Sequence, residues 1–199
     1  MADLEKTGKN LEGRGFRVHR FASGAEAADY LAQTLSNTCI GIGGSVTIDT
    51  LGVYDRLCES NEVFWHWKNH APETRERAGK AETYLCSANG VSENGEIVNI
   101  DGFGNRVAGT IYGPERVFLF VGRNKIAPDL TGAIDRARNI AAPLNARRLN
   151  RHTPCAVGEP RCHDCRSPEK VCGVMTVFFM PPTSIKEFHV ILVDEDLGY

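Results

Sequence analysis

The sequence predicts an α/β fold with a three-layered, mostly parallel sheet. Strand-like and helix-like segments alternate along most of the 199 residues. This order is typical of βαβ crossovers, which make a sheet parallel and place helices on both of its faces. The segment VFLFV at residues 117–121 is apolar throughout, as expected of a strand that is covered on both faces.

The elements follow from local patterns, taken in chain order. Short apolar runs predict strands at residues 16–21, 39–42, 63–65, 84–86, 96–100, 117–121 and 189–193. Apolar residues at helical spacing predict helices at residues 24–35, 48–57 and 129–142, and a further, polar helix is predicted at residues 72–82. Ser23 and Glu26 form a capping box that starts the first of these helices. Asn94 and Gly95 predict a hairpin turn before the strand at residues 96–100.

Composition and charge exclude several classes of protein. Lys and Arg number 23 against 25 Asp and Glu, so no overall field attracts nucleic acid or an anionic membrane. No apolar run approaches the roughly 20 residues needed to cross a bilayer, and the first residues lack a signal-peptide pattern. We therefore expect a single α/β domain over residues 1–199, located in the cytoplasm, without a membrane span or a nucleic-acid partner. A homodimer is compatible with the sequence.

A glycine-rich loop follows the predicted strand at residues 39–42. Gly43 and Gly44 let the backbone approach a ligand closely, and Ser45 and Thr47 add hydroxyl donors at the start of a helix. Such a loop suits phosphate, a carboxylate or another acyl oxyanion. A tight turn with a serine or threonine N-cap explains the same residues. The loop is neither a Rossmann GxGxxG nor a Walker A motif, so no nucleotide cofactor is indicated.

Two later loops carry polar residues beside apolar strands. Asn89 follows one predicted strand, and Asp101, Asn105 and Arg106 follow the next. Because the carboxyl ends of parallel strands meet at one edge of a sheet, we expect these side chains to lie near the glycine-rich loop. Ordinary turn chemistry also favours Asn, Asp and Gly at such positions.

A further loop follows VFLFV and places Asn124 and Lys125 at the same predicted edge. Against an anionic ligand, Lys125 would supply a point charge and Arg106 a bidentate fork. Asp101 and Lys125 are the candidate catalytic residues, with Asp101 as a base. The alternative is a loop whose charges are only solvated.

Four cysteines lie within 18 residues, in the pattern Cys155-x6-Cys162-x2-Cys165-x6-Cys172. A two-residue gap lets two thiolates reach one metal, and the flanking pair completes a four-sulfur shell for Zn²⁺ or a [4Fe-4S] cluster. Free thiols or a redox pair are the alternatives. The surrounding residues 145–182 have little apolar periodicity, so we expect an ordered insertion with a metal core.

A basic cluster adjoins this predicted insertion. Its members are Arg147, Arg148, Arg151 and His152. A solvated face explains such a cluster, and docking to an acidic partner protein is the alternative. Such docking would be weak and sensitive to ionic strength.

Several ordered motifs together resemble one known family. They are GGSVTIDTLG, SANGVSENGEIVNIDGFGNRVAG, GPERVFLFVGRNKI, AIDRARNIAAPLNARRL, the TPC…CHDC…C run and the closing LGY. In these motifs the chain resembles the LUD-domain family of lactate utilisation proteins, from about Phe16 to Tyr199. The resemblance implies a fold like that of the NagB/RpiA sugar-phosphate isomerases and the CoA transferases. It also implies a place in the oxidation of lactate to pyruvate, beside iron–sulfur partner proteins.

Three functions therefore remain open from the sequence. The first is a component of lactate oxidation that binds a small hydroxy or oxo acid, or a related anion, and carries one metal centre. The second is an isomerase or acyl-transfer enzyme acting on a phosphorylated or CoA-linked substrate. The third is a binding or regulatory protein in which Zn²⁺ only holds the insertion together.

Overall fold

The computed structural model describes residues 3–199. The strands are β1 (Arg17–Phe21), β2 (Cys39–Ile42), β3 (Glu62–Trp65), β4 (Thr83–Ser87), β5 (Gly90–Ser92), β6 (Ile97–Asp101), β7 (Arg116–Gly122), β8 (Ile126–Ala127), β9 (Val174–Phe178) and β10 (Glu187–Val193). The α-helices are α1 (Leu4–Gly13), α2 (Gly24–Thr34), α3 (Val46–Thr50), α4 (Tyr54–Cys58), α5 (Thr74–Gly79), α6 (Asn105–Ile111), α7 (Leu130–Arg136), α8 (Ala142–Arg148) and α9 (Pro154–Val157). Within these residues, no helix is both long and apolar enough to cross a membrane.

Six strands form one parallel sheet in the order β1-β10-β7-β4-β2-β3. Six of the seven strands expected from the apolar runs belong to it, so the prediction of an α/β fold with a parallel sheet is confirmed. The VFLFV segment lies in β7, an interior strand of the sheet. Its residues are buried on both faces, which explains why the strand has no polar side.

Helices cover both faces of this sheet. On one face α2, α3 and α4 contribute Leu31, Ile48 and Leu57 to a core that includes Phe118 of β7. The opposite face carries α1, α5 and α6. The packing of α5 on β2 is close, because a Cβ at Gly41 would lie 1.9 Å from the carbonyl oxygen of Ala78.

A second, mixed sheet adds a layer that the sequence did not predict. Its order is β8-β5-β6-β9, with β6 antiparallel to both of its neighbours. Ile97 of β6 packs into the core beneath the large sheet, whereas Val98 faces the helical residue Ala133 on the other side. The strand expected at residues 96–100 therefore lies in this sheet. The predicted hairpin is present, with Gly95 in its turn at φ 91°.

The segment expected to be an insertion, residues 145–182, is shorter in the structure. One continuous helix runs through α7, a π-helical turn (Ala137–Ala141) and α8, so the helix ends at Arg148 instead of near residue 142. At the other end, β9 pairs with β6 and belongs to the second sheet. Regular structure was missed at both ends because Pro143 and the clustered cysteines mask the local periodicity.

Other boundaries also differ from the sequence expectation. The helix expected at residues 48–57 is two short helices separated by Gly52, whose φ of 62° is left-handed. The helix expected at residues 72–82 is limited to α5. Helices α1 and α6 were not expected, and both begin at short polar N-terminal segments with little apolar spacing.

Candidate functional site

A cavity of about 820 Å³ opens at the carboxyl ends of the large sheet. Loops that follow β2, β3, β4 and β7 line it, together with the loop after β6 and residues of α8. The predicted residues that line it are Gly44, Ser45, Thr47, Asn89, Asp101, Asn105, Arg106 and Lys125. The structure therefore brings the four predicted loops together. Three of them follow β2, β4 and β7 of the large sheet, as expected for strand ends that share one edge. The loop with Asp101, Asn105 and Arg106 follows β6 of the second sheet, so it reaches the cavity from a different sheet than expected.

Lys125 is the most deeply buried ionisable residue of this cavity, with 1% of its surface exposed. It follows β7 in a single 3₁₀ turn, and its amine reaches across to the neighbouring strand ends. Its Nζ lies 2.7 Å from Thr47 Oγ1 and 3.1 Å from the carbonyl oxygen of Ala88, and it also contacts Ser87 Oγ. Every one of these neighbours is a neutral oxygen.

Burial lowers the pKa of Lys125 well below its ordinary value of 10.5. The guanidinium groups of Arg136 and Arg106 add to this effect, and the Cys86 thiol opposes it. Among residues 3–199, no carboxylate forms an ion pair with the Lys125 amine. Lys125 is thus suited to hold or accept a proton, and its role as an anion clamp stays a prediction.

Arg106 and Asp101 form a second unit on the cavity wall. Asp101 Oδ2 accepts the backbone N–H of Arg106 at 3.0 Å and that of Val107 at 3.4 Å, so it caps the start of α6. Arg106 donates to the carbonyl oxygen of Ile100 and, at 3.5 Å, to Asn89 Oδ1. These contacts fix Arg106 in the cavity and give Asp101 a positioning role, and its role as a base stays a prediction.

Gly43 and Asn124 lie outside the cavity lining. A Cβ at Gly43 would lie 2.9 Å from both Arg106 Cγ and Tyr84 Oη, so the glycine makes room for Arg106. Asn124 accepts the N–H of Leu197 and donates to the carbonyl oxygen of Gly198. Asn124 therefore anchors the segment that carries Tyr199 into the cavity, whereas the sequence had suggested that it binds the ligand.

The sequence did not select several other residues that line the cavity. They are Ser87 at the end of β4, His66 and Trp67 after β3, Arg75 near α5, Arg148 and Arg151 around the end of α8, and Glu169, Lys170 and Tyr199. Ser87, His66 and Trp67 could have been found, because they follow apolar strands just as the selected residues do. The others reach the cavity through long-range folding that local patterns do not encode.

Positive charge predominates in the cavity lining. Besides Lys125, whose pKa is lowered, Arg75, Arg106, Arg148, Arg151 and Lys170 line it, against Asp101 and Glu169. Arg148 lies 4.6 Å from the ring centre of Trp67, and Arg75 lies 4.8 Å from that of Phe103. Aromatic rings orient these two guanidinium groups without neutralising them.

His66 is a neutral donor or acceptor in this environment. Burial lowers its pKa to about 4, and the charges of Arg75 and Arg148 contribute to the shift. Its Nδ1 is buried and has no hydrogen-bond partner among the described residues. His66 therefore offers an unused polar atom beside the cationic wall.

The four cysteines of the predicted metal centre are free thiols, each half-buried. Within residues 3–199, no three His, Cys, Asp or Glu side chains are arranged as a metal-binding group. Cys162 and Cys172 line a smaller cavity of about 320 Å³, together with Arg138 and Lys170. Burial raises the pKa of Cys172, and the neighbouring Cys162, Cys155 and Cys165 raise it further. The thiols are therefore near enough to interact electrostatically.

Cys162 Sγ accepts hydrogen bonds from two N–H donors. Arg138 Nη2 donates to its Sγ at 3.3 Å, and the backbone N–H of Asp164 donates at 3.4 Å. Asn139 Oδ1 accepts the backbone N–H of Cys162 at 2.8 Å. Donors of this kind stabilise metal-bound sulfur, so the chemistry of the donor set fits Zn²⁺ or an iron–sulfur cluster.

The basic cluster expected to dock a partner has intramolecular contacts in the structure. Arg147 donates to the carbonyl oxygens of Ala156 and Gly158, at 3.1 and 2.7 Å. Arg148 and Arg151 line the large cavity, and His152 contacts Glu169. The cluster therefore supports α9 and the cavity wall.

Comparisons with known proteins agree with this fold. The crystal structure of a DUF162 family protein from Deinococcus radiodurans matches with a TM-score of 0.58, covering 96% of this chain and 95% of that chain. The two sequences are 14% identical, so the likeness concerns the fold alone. A search of curated proteins found no match. The family model described as the LUD domain matches residues 4–193. The chain therefore belongs to the LUD-domain family.

Proposed function

We propose that the chain binds a small carboxylate, or a related anion, in the large cavity as a component of lactate utilisation. The observation that carries this proposal is the excess of Arg and Lys over Asp and Glu in the cavity lining. A cavity with this charge attracts anions, and low-dielectric walls strengthen the attraction. Membership of the LUD-domain family supports lactate and pyruvate as the first ligands to test.

Arg106 is the residue that we propose grips the carboxylate. Its side chain is 14% exposed and is held in place by Ile100, Asn89 and Asp101. An arginine fixed in this way has already lost much of its rotamer freedom, so binding costs less entropy. Its planar guanidinium matches a carboxylate in a bidentate geometry. Arg75, Arg148 and Arg151 would add long-range attraction from the rim.

The four cysteines are proposed to hold one metal centre next to this cavity. Lys170 lines both the large cavity and the smaller one that contains Cys162 and Cys172, so the two sites share a wall. A [4Fe-4S] cluster there would supply one-electron transfer, whereas Zn²⁺ would only hold the segment together. In the first case, iron–sulfur proteins of a lactate oxidation system are the proposed partners.

Binding of lactate and pyruvate to the Arg106→Met variant tests the anion site. Loss of a charge-assisted hydrogen bond costs about 1.5–3 kcal/mol, so the dissociation constant should rise about 10- to 100-fold in calorimetric titrations. Arg116→Met is the matched control, because Arg116 pairs with Glu82 at the opposite end of β7. Equal affinities in wild type and Arg106→Met would contradict the proposal.

The ultraviolet–visible spectrum of anaerobically purified protein distinguishes the two metals. A cluster gives broad absorption near ~400 nm that bleaches with dithionite, and zinc gives none. A bleachable spectrum supports the redox role, and a colourless protein with bound zinc would contradict that part of the proposal.

A further inference from the structure

Ser87 and Lys125 form a hydrogen-bonded pair that anion binding does not use. Ser87 is the last residue of β4, and Lys125 follows β7, the neighbouring strand. Both side chains line the large cavity, and they are 3% and 1% exposed. A buried serine that contacts an amine at the floor of a cavity has the arrangement of a nucleophile and its base.

The hydrogen bonds around the amine identify its donor and acceptor roles. A neutral lysine amine has two N–H donors and one lone pair. The Ala88 carbonyl can only accept from it, and Thr47 gives its hydroxyl proton to the carbonyl oxygen of Leu197 at 3.2 Å, so Thr47 also accepts. The lone pair of the neutral amine is therefore one acceptor for the hydroxyl proton of Ser87, whose Oγ also lies 3.1 Å from Thr47 Oγ1 and 3.2 Å from the carbonyl oxygen of Ala88.

The charges around Lys125 favour this arrangement. The charges of Arg136 and Arg106 disfavour protonation of the amine, and the Cys86 thiol is the titratable group that favours it. Arg136 is itself fixed, because its guanidinium donates to the backbone carbonyls of Asn124 and Asn89. The pair therefore lies beside fixed positive charge that keeps a proton away from the amine.

We propose that Ser87 is a nucleophile and Lys125 its general base, in acyl transfer from an ester or thioester that carries an anionic group. The requirement for an anionic group rests on the proposed function of the cavity. The pair itself rests only on the contacts among Ser87, Lys125 and Thr47.

The proposed reaction has two balanced steps. Ser87 Oγ bonds to the acyl carbon while its proton passes to Lys125 Nζ, the bond from the acyl carbon to the alcohol or thiol breaks, and Lys125 returns the proton to this leaving group. Water or an acceptor hydroxyl then attacks the acyl-serine and gives its proton to Lys125. Lys125 passes that proton to Ser87 as the acyl group leaves, so the enzyme is regenerated without an oxidant or reductant.

Reaction with 4-nitrophenyl acetate tests the pair directly. We expect release of 4-nitrophenolate above the uncatalysed rate, with an acetyl group on Ser87 in peptide mass spectra of acid-quenched samples. The rate should fall about 100-fold or more in Ser87→Ala and in Lys125→Met, as for loss of a nucleophile or its base. In the wild type, the rate should rise with pH to a plateau below the ordinary lysine pKa of 10.5.

Thr83→Val is the matched control for these variants. Thr83 is buried on the same strand, and its hydroxyl has no hydrogen-bond partner among the described residues. This control should keep the wild-type rate. Acetylation of Lys125 instead of Ser87 in the wild type would overturn the proposal, as would the absence of both catalysis and adduct. Neither outcome depends on whether a variant folds.

A second pair of reagents separates this proposal from anion binding. Acetylsalicylate carries a carboxylate and its methyl ester does not, yet both donate the same acetyl group. We expect faster acetylation of Ser87 by acetylsalicylate, and Arg106→Met should remove that preference. Acetylation of Ser87 with equal rates from both reagents would contradict the anionic substrate class alone. Intact lactate binding without acetylation of Ser87 would contradict the nucleophile alone.

Discussion

The large cavity and the cysteine segment, residues 155–172, differ in what holds them in place. In the cavity, Thr47, Ser87, Asn89, Asp101 and Lys125 are all less than 9% exposed and hydrogen-bond to one another or to backbone. In the cysteine segment no residue is buried, and from residue 158 to residue 173 the chain has neither helix nor strand. Its ties to the rest of the protein include polar contacts from Arg138, Asn139 and Arg147, and the packing of Cys172 against the apolar cluster that contains Ile100.

This difference shows two ways of fixing functional groups. The two sheets position most of the cavity residues, because Ser87, Asn89, Asp101 and Lys125 lie at or just after the ends of strands whose neighbours determine their place. The cysteine segment buries too little apolar surface to offset its ordering entropy, so we expect a bound metal to supply that free energy. The part of the cavity that the strand ends build should therefore persist without metal, whereas the cysteine segment, with its lining residues Glu169 and Lys170, should not.

Substitution of the cysteines has the largest expected effect. Cys162→Ser and Cys165→Ser should each lose most of the bound metal, because a four-sulfur site with one thiolate missing binds far more weakly. The region of residues 145–182 should then become sensitive to limited proteolysis. Cys58→Ser is the control, since Cys58 is exposed and lies on α4. Full metal content in both variants would show that these thiols do not bind the metal.

Substitution of Arg147 has a smaller expected effect on stability. It distinguishes a structural role near α9 from docking of a partner protein. Arg147→Met removes two hydrogen bonds to backbone carbonyls near α9, and the arginine is exposed. We expect a loss of about 1 kcal/mol in the free energy of unfolding by urea. Arg161→Met is the control, because the ion pair of Arg161 within the described residues is with the nearby Glu159. An unchanged unfolding midpoint would contradict the supporting role and favour the prediction that Arg147 docks a partner protein.

His66 gives the smallest effect, through the dependence of stability on pH. Its pKa is about 4 in the folded chain and 6.5 when unfolded, so between these values only the unfolded state takes up the proton. Acidification from pH 6.5 to 4 should therefore lower the free energy of unfolding. His66→Gln should reduce this loss by less than about 1 kcal/mol, because the His66 ring is half-exposed and solvent screens its charge. His163→Gln is the control and should not reduce this loss, because His163 is exposed on the cysteine segment. An identical acid dependence in wild type and His66→Gln would show that the cavity does not depress this pKa.

Much of the fold follows from local sequence patterns, and the exceptions have physical causes. Interior strands such as β7 are apolar because they are covered on both faces, so they are readily recognised. The second sheet was missed because β8 has only two residues and β9 is half-exposed. Such short or open strands depend on their neighbours for stability and carry a weak periodic signal.

The site was partly predictable for the same reason. Gly44, Asn89 and Lys125 were selected because each follows a strand of a parallel sheet, and the structure brings them to one cavity. The chemical roles of these residues could be assigned only from interatomic distances and from the burial of their side chains. Lys125 has an amine surrounded by neutral oxygens, and Asp101 caps a helix that the sequence did not predict.

A titration of the metal-depleted wild-type protein tests the central claim most directly. Lactate, pyruvate and lactamide are compared in one buffer of fixed ionic strength, because lactamide has nearly the shape of lactate without its charge. We predict that lactate or pyruvate binds at least about tenfold more tightly than lactamide, with the metal absent. Equal affinities for lactate and lactamide, or no binding of any of the three, would contradict an anion site built by the sheet itself.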